Sequence, residues 1–279
     1  MKQTFERGFL VTMFLPFGAI HEENLRRTLE TMSSLEFFRP KFVGIDERKR
    51  VPYDLDKAVA MSRQQASRPP LGKRPLYLWH RAMDREPSWI HLKDEAPSTL
   101  DMVFVGKDAV DNGQQIVEEF SQMVDVLRPK YAEIAMRAHM AELIADRPDL
   151  LEHMEANPPP STVSEIYYAG LGSFSTATWL DAELVEILGP AVLAELGARQ
   201  TARGDWYIEV KEEPWTATPL QIAEFAKHTA EILRKHGQLG RSMHPKIGPI
   251  YTAPNWRRPA SWLSAADPRV ERLIAGVNA

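Results

Sequence analysis

Three short strand-like segments follow one another with little chain between them, and this spacing limits the folds open to the chain. They are LYLWH (Leu76–His80), SWIHL (Ser88–Leu92) and LDMVFV (Leu100–Val105), each bounded by Pro, Gly or charged residues. Amphipathic helices are predicted around them, among them His21–Phe38 and Asp111–Leu127. We therefore expect an α+β fold, with a mostly antiparallel sheet and amphipathic helices packed on one face.

The helix with the clearest sequence signals begins at Thr218. Thr218 is the predicted N-cap, Pro219 occupies the first helical position, Gln221 completes a capping box, and Gly237 is a natural stop. These signals predict a helix that ends near Lys235.

The proline tract NPPPS (Asn157–Ser161) is typical of a linker and is predicted to join two halves of the chain. Residues 1–240 are predicted to form the α+β domain, with possible similar halves at 1–156 and 161–240, each a strand region followed by a long helix. In the second half, VSEIYYAGLGSF (163–174) is predicted as a strand and Asp181–Leu188 as a short helix. Residues 241–279 are interpreted as a tail rich in Pro, Arg and Trp, with a short helix from Asp267.

The chain contains no cysteine, which excludes disulfides, thiolate zinc sites and cysteine nucleophiles. The apolar run near the N-terminus (Phe9–Leu15) is too short for a signal peptide or a membrane span, and it is predicted to be the first strand. We therefore expect a cytoplasmic protein without a membrane partner.

Acidic residues are concentrated in the middle of the sequence. Between Asp108 and Leu233 there are 22 acidic and 8 basic residues, whereas the whole chain has a net charge of -4. This pattern is consistent with a set of solvated helix faces. It is equally consistent with an acidic surface that attracts a basic partner. Either one argues against broad nucleic-acid binding, which requires clustered Lys and Arg.

Motifs with a built-in catalytic mechanism are missing from the sequence. The segment Gly170-Leu-Gly172-Ser-Phe-Ser175 lacks the third glycine of a dinucleotide-binding loop, so it is interpreted as a turn. His80 and His91 could share a metal with Asp94 or Asp101, but ordinary partly buried histidines are the more common case. We predict no metal and no cofactor.

The strongest enzymatic indication lies in GDWYIEVKEEPW (Gly204–Trp215). Glu209-Val-Lys211 fits the second half of the D…(D/E)xK arrangement, in which carboxylates hold a divalent cation and the lysine helps to activate water. The preceding segment (Ala198–Arg203) has no acid, and the nearest upstream candidate, Asp181, is predicted to cap a helix. A metal-dependent nuclease or phosphodiesterase is therefore kept as the alternative function.

The same stretch also fits a binding surface. Alternation predicts that Trp206, Ile208 and Val210 face the core, and that Tyr207 and Glu209 face solvent. Glu212, Glu213 and Trp215 follow in the next turn, so aromatic and acidic side chains would lie together, as in surfaces that receive Arg or Lys. Further aromatic candidates elsewhere are Trp79, Trp89, Trp256 and Trp262.

The order of VSEIYYAGLGSF, a helical insert, GDWYIEVKEEPW and TPLQIAEFAKHTAEIL resembles the bacterial immunity proteins of polymorphic-toxin and type VI secretion systems, most nearly the immunity protein 52 family. The first strand, the first helix and LRPKYAEI are compatible with the same pattern. This chain has Pro214-Trp215 where relatives have Phe after the acidic residues, and the tail from Gly240 has no match.

The resemblance implies a non-enzymatic cytoplasmic protein that binds one cognate toxin, often a nuclease, encoded by a neighbouring gene. The predicted contact residues combine the stretch above with acids of the middle region: Tyr207, Glu209, Glu212, Glu213, Trp215, Asp108, Asp111, Glu118 and Glu119. The sequence makes no prediction of the oligomeric state.

Overall fold

The computed structural model describes residues 7–16, 22–66, 75–81, 86–92, 97–137, 144–156, 162–201, 204–242 and 250–265. These residues contain eight α-helices together with antiparallel strands, which confirms the predicted α+β class. The chain divides into two compact units, Glu6–Arg137 and a second that contains Ala138–Ala279. We call them the N-terminal unit and the C-terminal unit.

The N-terminal unit is built on an antiparallel sheet. Its strands are β1 (Gly8–Leu15), β2 (Phe42–Asp46), β3 (Lys49–Pro52), β4 (Leu76–Trp79), β5 (Ser88–His91), β6 (Ser98–Val105) and β7 (Tyr131–Arg137), in the order β3-β2-β4-β5-β6-β1-β7. The three strand-like segments predicted between Leu76 and Val105 are β4, β5 and β6, and they lie next to one another in the sheet.

One face of this sheet is buried and mostly apolar. Along β1, the alternate residues Phe9, Val11, Met13 and Leu15 are all buried, because successive side chains of a strand point to opposite faces. The helices of the unit are α1 (Glu22–Ser34), α2 (Leu55–Ala66), α3 (Lys107–Asp111) and α4 (Gly113–Leu127). Phe38, which follows α1, packs on Phe104 of the apolar face with ring centroids 5.0 Å apart.

The C-terminal unit places a small antiparallel sheet among four helices. Its helices are α5 (Pro148–Ala156), α6 (Val163–Ala169), α7 (Ala182–Glu195) and α8 (Pro219–Lys235). Strand β10 (Trp206–Glu209) lies between β8 (Ala177–Leu180) and the two-residue β9 (Arg199–Gln200). Strands β11 (Arg241–Ser242) and β12 (Ile250–Tyr251) form a separate pair.

The prediction of a strand at VSEIYYAGLGSF is wrong, because its first part forms helix α6. Thr162 and Glu165 form a capping box in which each side chain accepts the backbone N–H of the other, and this satisfies two N–H groups at the helix start. Gly170, with φ of +116°, ends the helix, and a Cβ there would lie 2.9 Å from the carbonyl oxygen of Gln238. The strand of this region begins only at Ala177.

Two other helix starts follow the sequence signals. Asp181 caps α7 by accepting the backbone N–H of Leu184 at 2.9 Å, as predicted, but α7 continues beyond Leu188. Gly189 has φ of +79° there, and the helix resumes at Pro190 after this kink. Thr218 and Gln221 form the predicted capping box of α8, which confirms its N-cap, and the helix ends at Lys235 as predicted.

Residues 252–262, which we call the C-terminal strap, pack on the C-terminal unit. The backbone N–H of Ala253 donates to the carbonyl oxygen of Ala169 at 2.7 Å, and the guanidinium of Arg258 lies 4.9 Å from the ring centroid of Tyr168. Trp262 is fully buried in a 3-10 helix, Ala260–Ala265, that packs on α6. The short helix predicted from Asp267 lies outside the described residues.

Candidate interaction surface

The chain after β10 forms an ordered turn, residues 210–216, which we call the acidic turn. Lys211 Nζ donates to the carbonyl oxygen of Thr216 at 3.3 Å, and the Thr216 hydroxyl donates to the carbonyl oxygen of Glu213 at 2.8 Å. A 3-10 helix, Pro214–Thr216, holds the end of the turn, with Pro214 buried. These contacts fix the backbone that carries the predicted contact residues.

Glu212 and Glu213 are exposed, and their carboxylates form no hydrogen bond or ion pair within the described part of the chain. Trp215 is partly exposed in the same segment, and Leu220, in the first turn of α8, is 39% exposed. The acidic turn therefore offers two uncommitted negative charges together with apolar side chains. This is the composition expected of a surface that receives a basic residue from a partner.

The side chains of β10 do not alternate between buried and exposed as strictly as the sequence predicted. Ile208 is fully buried, but Trp206 and Val210, which were assigned to the core, are each partly exposed. Tyr207 is also partly exposed. The neighbouring strand β9 has only two residues, so it covers little of β10, and only the central apolar residue is completely enclosed.

Glu209 is already paired within the protein. Arg199 of the adjacent strand β9 forms an ion pair with its carboxylate, whose side chain is only 15% exposed. Lys211, the other half of the nuclease-like pair, donates to a backbone carbonyl instead of approaching a carboxylate. Asp181, the upstream acid, caps α7. The geometry of these three side chains gives the nuclease alternative no support.

Three of the predicted acids of the N-terminal unit lie exposed on α3 and α4. Asp108 forms an ion pair with Arg81 at 2.6 Å, Asp111 forms one with Lys107, and Glu118 accepts a hydrogen bond from Gln114 at 2.8 Å. Each of these acids thus has a local donor, in contrast to Glu212 and Glu213. They are weaker candidates for contact with a basic partner.

The surface position predicted for Glu119 is wrong. Glu119 is buried, and its carboxylate accepts the backbone N–H groups of Glu36, Phe37 and Phe38 at 3.1, 2.9 and 3.3 Å. It therefore holds the chain after α1 against α4, which is a structural role. Glu118 and Glu119 are neighbours in sequence, but Glu118 is exposed to solvent and only Glu119 is directed toward the chain after α1.

We expect Glu119→Gln to lower the free energy of unfolding by about 2 kcal/mol, because an uncharged amide offers one acceptor oxygen where the carboxylate offered two. Urea denaturation followed by circular dichroism measures the change. Glu118→Gln is the matched control, since Glu118 is the exposed neighbour on the same helix, and it should change stability by less than about 0.5 kcal/mol. Equal effects of the two substitutions would contradict the role assigned to Glu119.

The histidine pair considered as a metal site is not brought together. His80 is buried and His91 is exposed, and Asp94 lies outside the described residues. His80 Nε2 lies 2.8 Å from the hydroxyl oxygen of Ser88, and burial lowers the pKa of His80 to about 4. Within the described residues, no group of three or more metal-binding side chains is found.

A buried carboxyl that the sequence analysis missed lies on β7. Burial raises the pKa of Glu133 to about 7, although a hydrogen bond donated by the hydroxyl of Tyr131 partly opposes the shift. In the sequence, Glu133 lies between the apolar residues Ala132 and Ile134. Such alternation of apolar and polar residues is typical of a strand with one face in solvent. Nothing in that pattern indicates that the position is enclosed.

Of the other tryptophans considered as contact residues, Trp79, Trp256 and Trp262 are buried, whereas Trp89 is partly exposed. The first three therefore contribute to the core.

Across the described helices, none combines the length and the apolar character needed to cross a membrane.

Comparison with known proteins shows similarity to solved structures and not to known sequences. No protein-family model matches the chain, and no curated protein matches its sequence. Among solved structures, the chain is similar to a Pseudomonas aeruginosa type VI secretion system (T6SS) protein, PA0821, with a TM-score of 0.53 at 12% sequence identity. The match covers 100% of this chain and 88% of that chain. At this identity, the likeness shows a shared fold.

Proposed function

We propose that the protein is a T6SS-associated immunity protein, which binds a cognate toxin in the cytoplasm and blocks it without catalysis. The observation that carries the proposal is the fold likeness to a T6SS protein over the whole chain. The order of sequence segments, which resembles secretion-system immunity proteins, supports the same function independently of that likeness.

The acidic turn is the surface we assign to the toxin. Its two carboxylates, Glu212 and Glu213, have no partner among the described residues, so they can pair with Arg or Lys without first breaking an internal contact. The hydrogen bonds from Lys211 and Thr216 hold the turn in one conformation, which reduces the conformational entropy lost on binding. Trp215 and Leu220 add apolar area near these charges.

This arrangement supports inhibition by occupation of a basic surface. A toxin that acts on nucleic acid needs Lys and Arg in its cleft, and carboxylates placed over that cleft would compete with phosphate groups for the same cations. A nuclease is accordingly the toxin class that we propose first. Charge complementarity of this kind also accelerates association, which favours capture of the toxin before it reaches its target.

Growth rescue tests the proposed function. The toxin gene is sought beside the gene of this protein, and the two are expressed together in a host that the toxin alone kills. We expect the wild-type protein to restore growth and to form a complex with the purified toxin. If the neighbouring gene product is toxic and this protein neither restores growth nor binds it, the proposed function is wrong.

Charge reversal tests the surface. We expect Glu212→Lys/Glu213→Lys to raise the dissociation constant of the complex at least tenfold, because attraction at both positions becomes repulsion. The matched control is Glu30→Lys/Glu231→Lys, which makes the same change in net charge at two exposed helix positions and should alter the constant by less than about threefold. Isothermal titration calorimetry at two salt concentrations measures both variants. An unchanged dissociation constant for the acidic-turn variant would show that the toxin binds a different surface.

A further inference from the structure

The C-terminal strap lies on the surface of its unit and is anchored at regular intervals. Every third residue is buried and the residues between are exposed, and the buried positions are Ala253, Trp256, Pro259 and Trp262. This spacing gives the strap four anchors, of which the two tryptophans supply most of the buried apolar area. Only one residue in three is enclosed, so most of the strap is already in contact with water.

The first part of the strap binds the end of α6. The Thr252 hydroxyl donates to the carbonyl oxygen of Tyr168 at 2.8 Å, and the N–H of Ala253 donates to the carbonyl oxygen of Ala169 at 2.7 Å. The last carbonyl groups of a helix have no partner within the helix, so they bind either water or another segment. When the strap leaves, water can replace these two donors, and α6 keeps its own hydrogen bonds.

The strap makes the same kind of contact beyond the end of α8. The backbone N–H of Asn255 donates to the carbonyl oxygen of Gly237 at 2.8 Å, and its side-chain amide donates to the carbonyl oxygen of His236 at 2.9 Å. Further along the strap, the N–H of Ser261 donates to the Glu183 carboxylate of α7 at 3.1 Å. The strap therefore joins three helices, and Asn255 and Ser261 make these contacts from exposed positions.

The helices that carry the strap begin with caps of their own. α6 and α8 start with capping boxes, and Asp181 caps α7. In α6 and α8 these caps lie at the opposite end of the helix from the contacts with the strap. Loss of the strap therefore leaves the capped starts of both helices intact.

Hydrogen bonds within the strap connect its anchors in pairs. The N–H of Trp256 donates to the carbonyl oxygen of Ala253 at 3.0 Å, and the N–H of Trp262 donates to the carbonyl oxygen of Pro259 at 3.1 Å. One anchor of a pair therefore cannot leave without disturbing the other. Such short turns favour release of the strap as a whole over release residue by residue.

We propose that the strap is a releasable clip: residues 252–262 leave α6, α7 and α8 in one step, while the three helices stay folded. Release uncovers the rings of Tyr167 and Tyr168, over which the guanidinium of Arg258 lies in the docked strap. It costs less than unfolding of the helices, because it breaks only the contacts of one short surface segment. The proposal concerns the C-terminal unit alone and does not depend on the proposed immunity function.

Native-state hydrogen exchange of the full chain, followed by NMR at low urea concentrations, tests the proposal. The reporters are the amide protons of Ala253, Asn255 and Trp262, which all donate hydrogen bonds in the docked strap, and that of Leu233 within α8. We expect the three strap amides to share one protection factor within threefold, at least tenfold below that of Leu233. Strap protection within tenfold of Leu233 would show that the strap opens only with the helix, and a spread above threefold would show fraying. Either result overturns the proposal.

A variant tests whether the two ends of the strap are released together. Asn255→Ala removes the side-chain hydrogen bond to His236, and it should lower the protection of the Trp262 amide as much as that of Ala253, by about fivefold. Release residue by residue would lower the protection of Ala253 alone. Glu231→Gln, at an exposed position of α8, is the control and should leave both values unchanged. An unchanged Trp262 amide in Asn255→Ala would contradict release in one step.

Discussion

Replacement of Trp262 by alanine is expected to destabilise the C-terminal unit by about 3 to 5 kcal/mol. The Trp262 side chain is fully buried, and truncation of a buried tryptophan removes a large apolar area from the core and leaves a cavity. The loss should be large because Trp262 anchors the end of the C-terminal strap. Nearer its start, the strap is held on α6 by hydrogen bonds and by the guanidinium of Arg258, which lies over the rings of Tyr167 and Tyr168. Urea denaturation followed by circular dichroism measures the change in the free energy of unfolding.

Arg257→Ala is the control for the strap. Arg257 lies in the same segment, but its guanidinium is exposed and is 3.4 Å from the Glu186 carboxylate, so its loss should cost less than about 1 kcal/mol. Because the chain has two compact units, the transition must be recorded with more than one probe and tested for two-state behaviour. Wild-type stability in Trp262→Ala would show that the strap does not contribute to folding of the unit.

The dependence of stability on pH should be controlled by two buried groups with opposite effects. Between pH 4.5 and 7, Glu133 is protonated in the folded state and ionised in the unfolded state, so its contribution to stability falls as pH rises. Between pH 4 and 6.5, His80 is neutral in the folded state and protonated in the unfolded state, so its contribution falls as pH decreases. Each effect amounts to about 3 kcal/mol across its range.

In the wild-type protein these two contributions nearly cancel from pH 4.5 to 6.5. We expect Glu133→Gln to reveal the His80 effect, as a free energy of unfolding that rises by about 3 kcal/mol from pH 4 to 6.5. His80→Gln should reveal the opposite slope, with stability that decreases from pH 4.5 to 7. Urea denaturation at intervals of half a pH unit measures both, with Glu118→Gln as a control that leaves the profile unchanged.

Parallel pH profiles for the wild-type protein and both variants would contradict the two assignments. The sign of each slope identifies the group responsible, since an acid with a raised pKa and a base with a lowered pKa change the proton balance of folding in opposite directions. A variant that only weakened packing would displace the whole profile without changing its slope.

The sequence was most informative where a local signal determines the backbone. The capping box of Thr218 and Gln221 involves residues three apart, so the start of α8 could be read directly, and the same is true of Asp181 at the start of α7. The capping box of Thr162 and Glu165 was equally local, but the apolar run after it was interpreted as a strand. Short apolar segments fit both a buried helix and a strand, and the cap was the signal that could have separated them.

Burial of individual polar residues could not be predicted, because it depends on distant parts of the chain. Glu119 was assigned to the surface although it binds backbone groups 81 to 83 positions earlier in the chain. The alignment of Trp89 with Asp101 across two strands also arises only from the pairing of strands that are separate in sequence. By contrast, the prediction that Glu212 and Glu213 are exposed needed only a turn after a strand, and the structure places both on the surface.

The position of Trp262 in the chain also affects when each unit can fold during synthesis. The residues of the sheet in the N-terminal unit are all available once Arg137 has been made, whereas the C-terminal unit lacks its anchor until Trp262 has been added. At typical elongation rates, 125 residues take about 6 to 25 seconds. Once α6 has been made, the residues of α6 that pack on the strap stay uncovered until Trp262 is added, so we expect the C-terminal unit to be most exposed to chaperones and proteases late in translation.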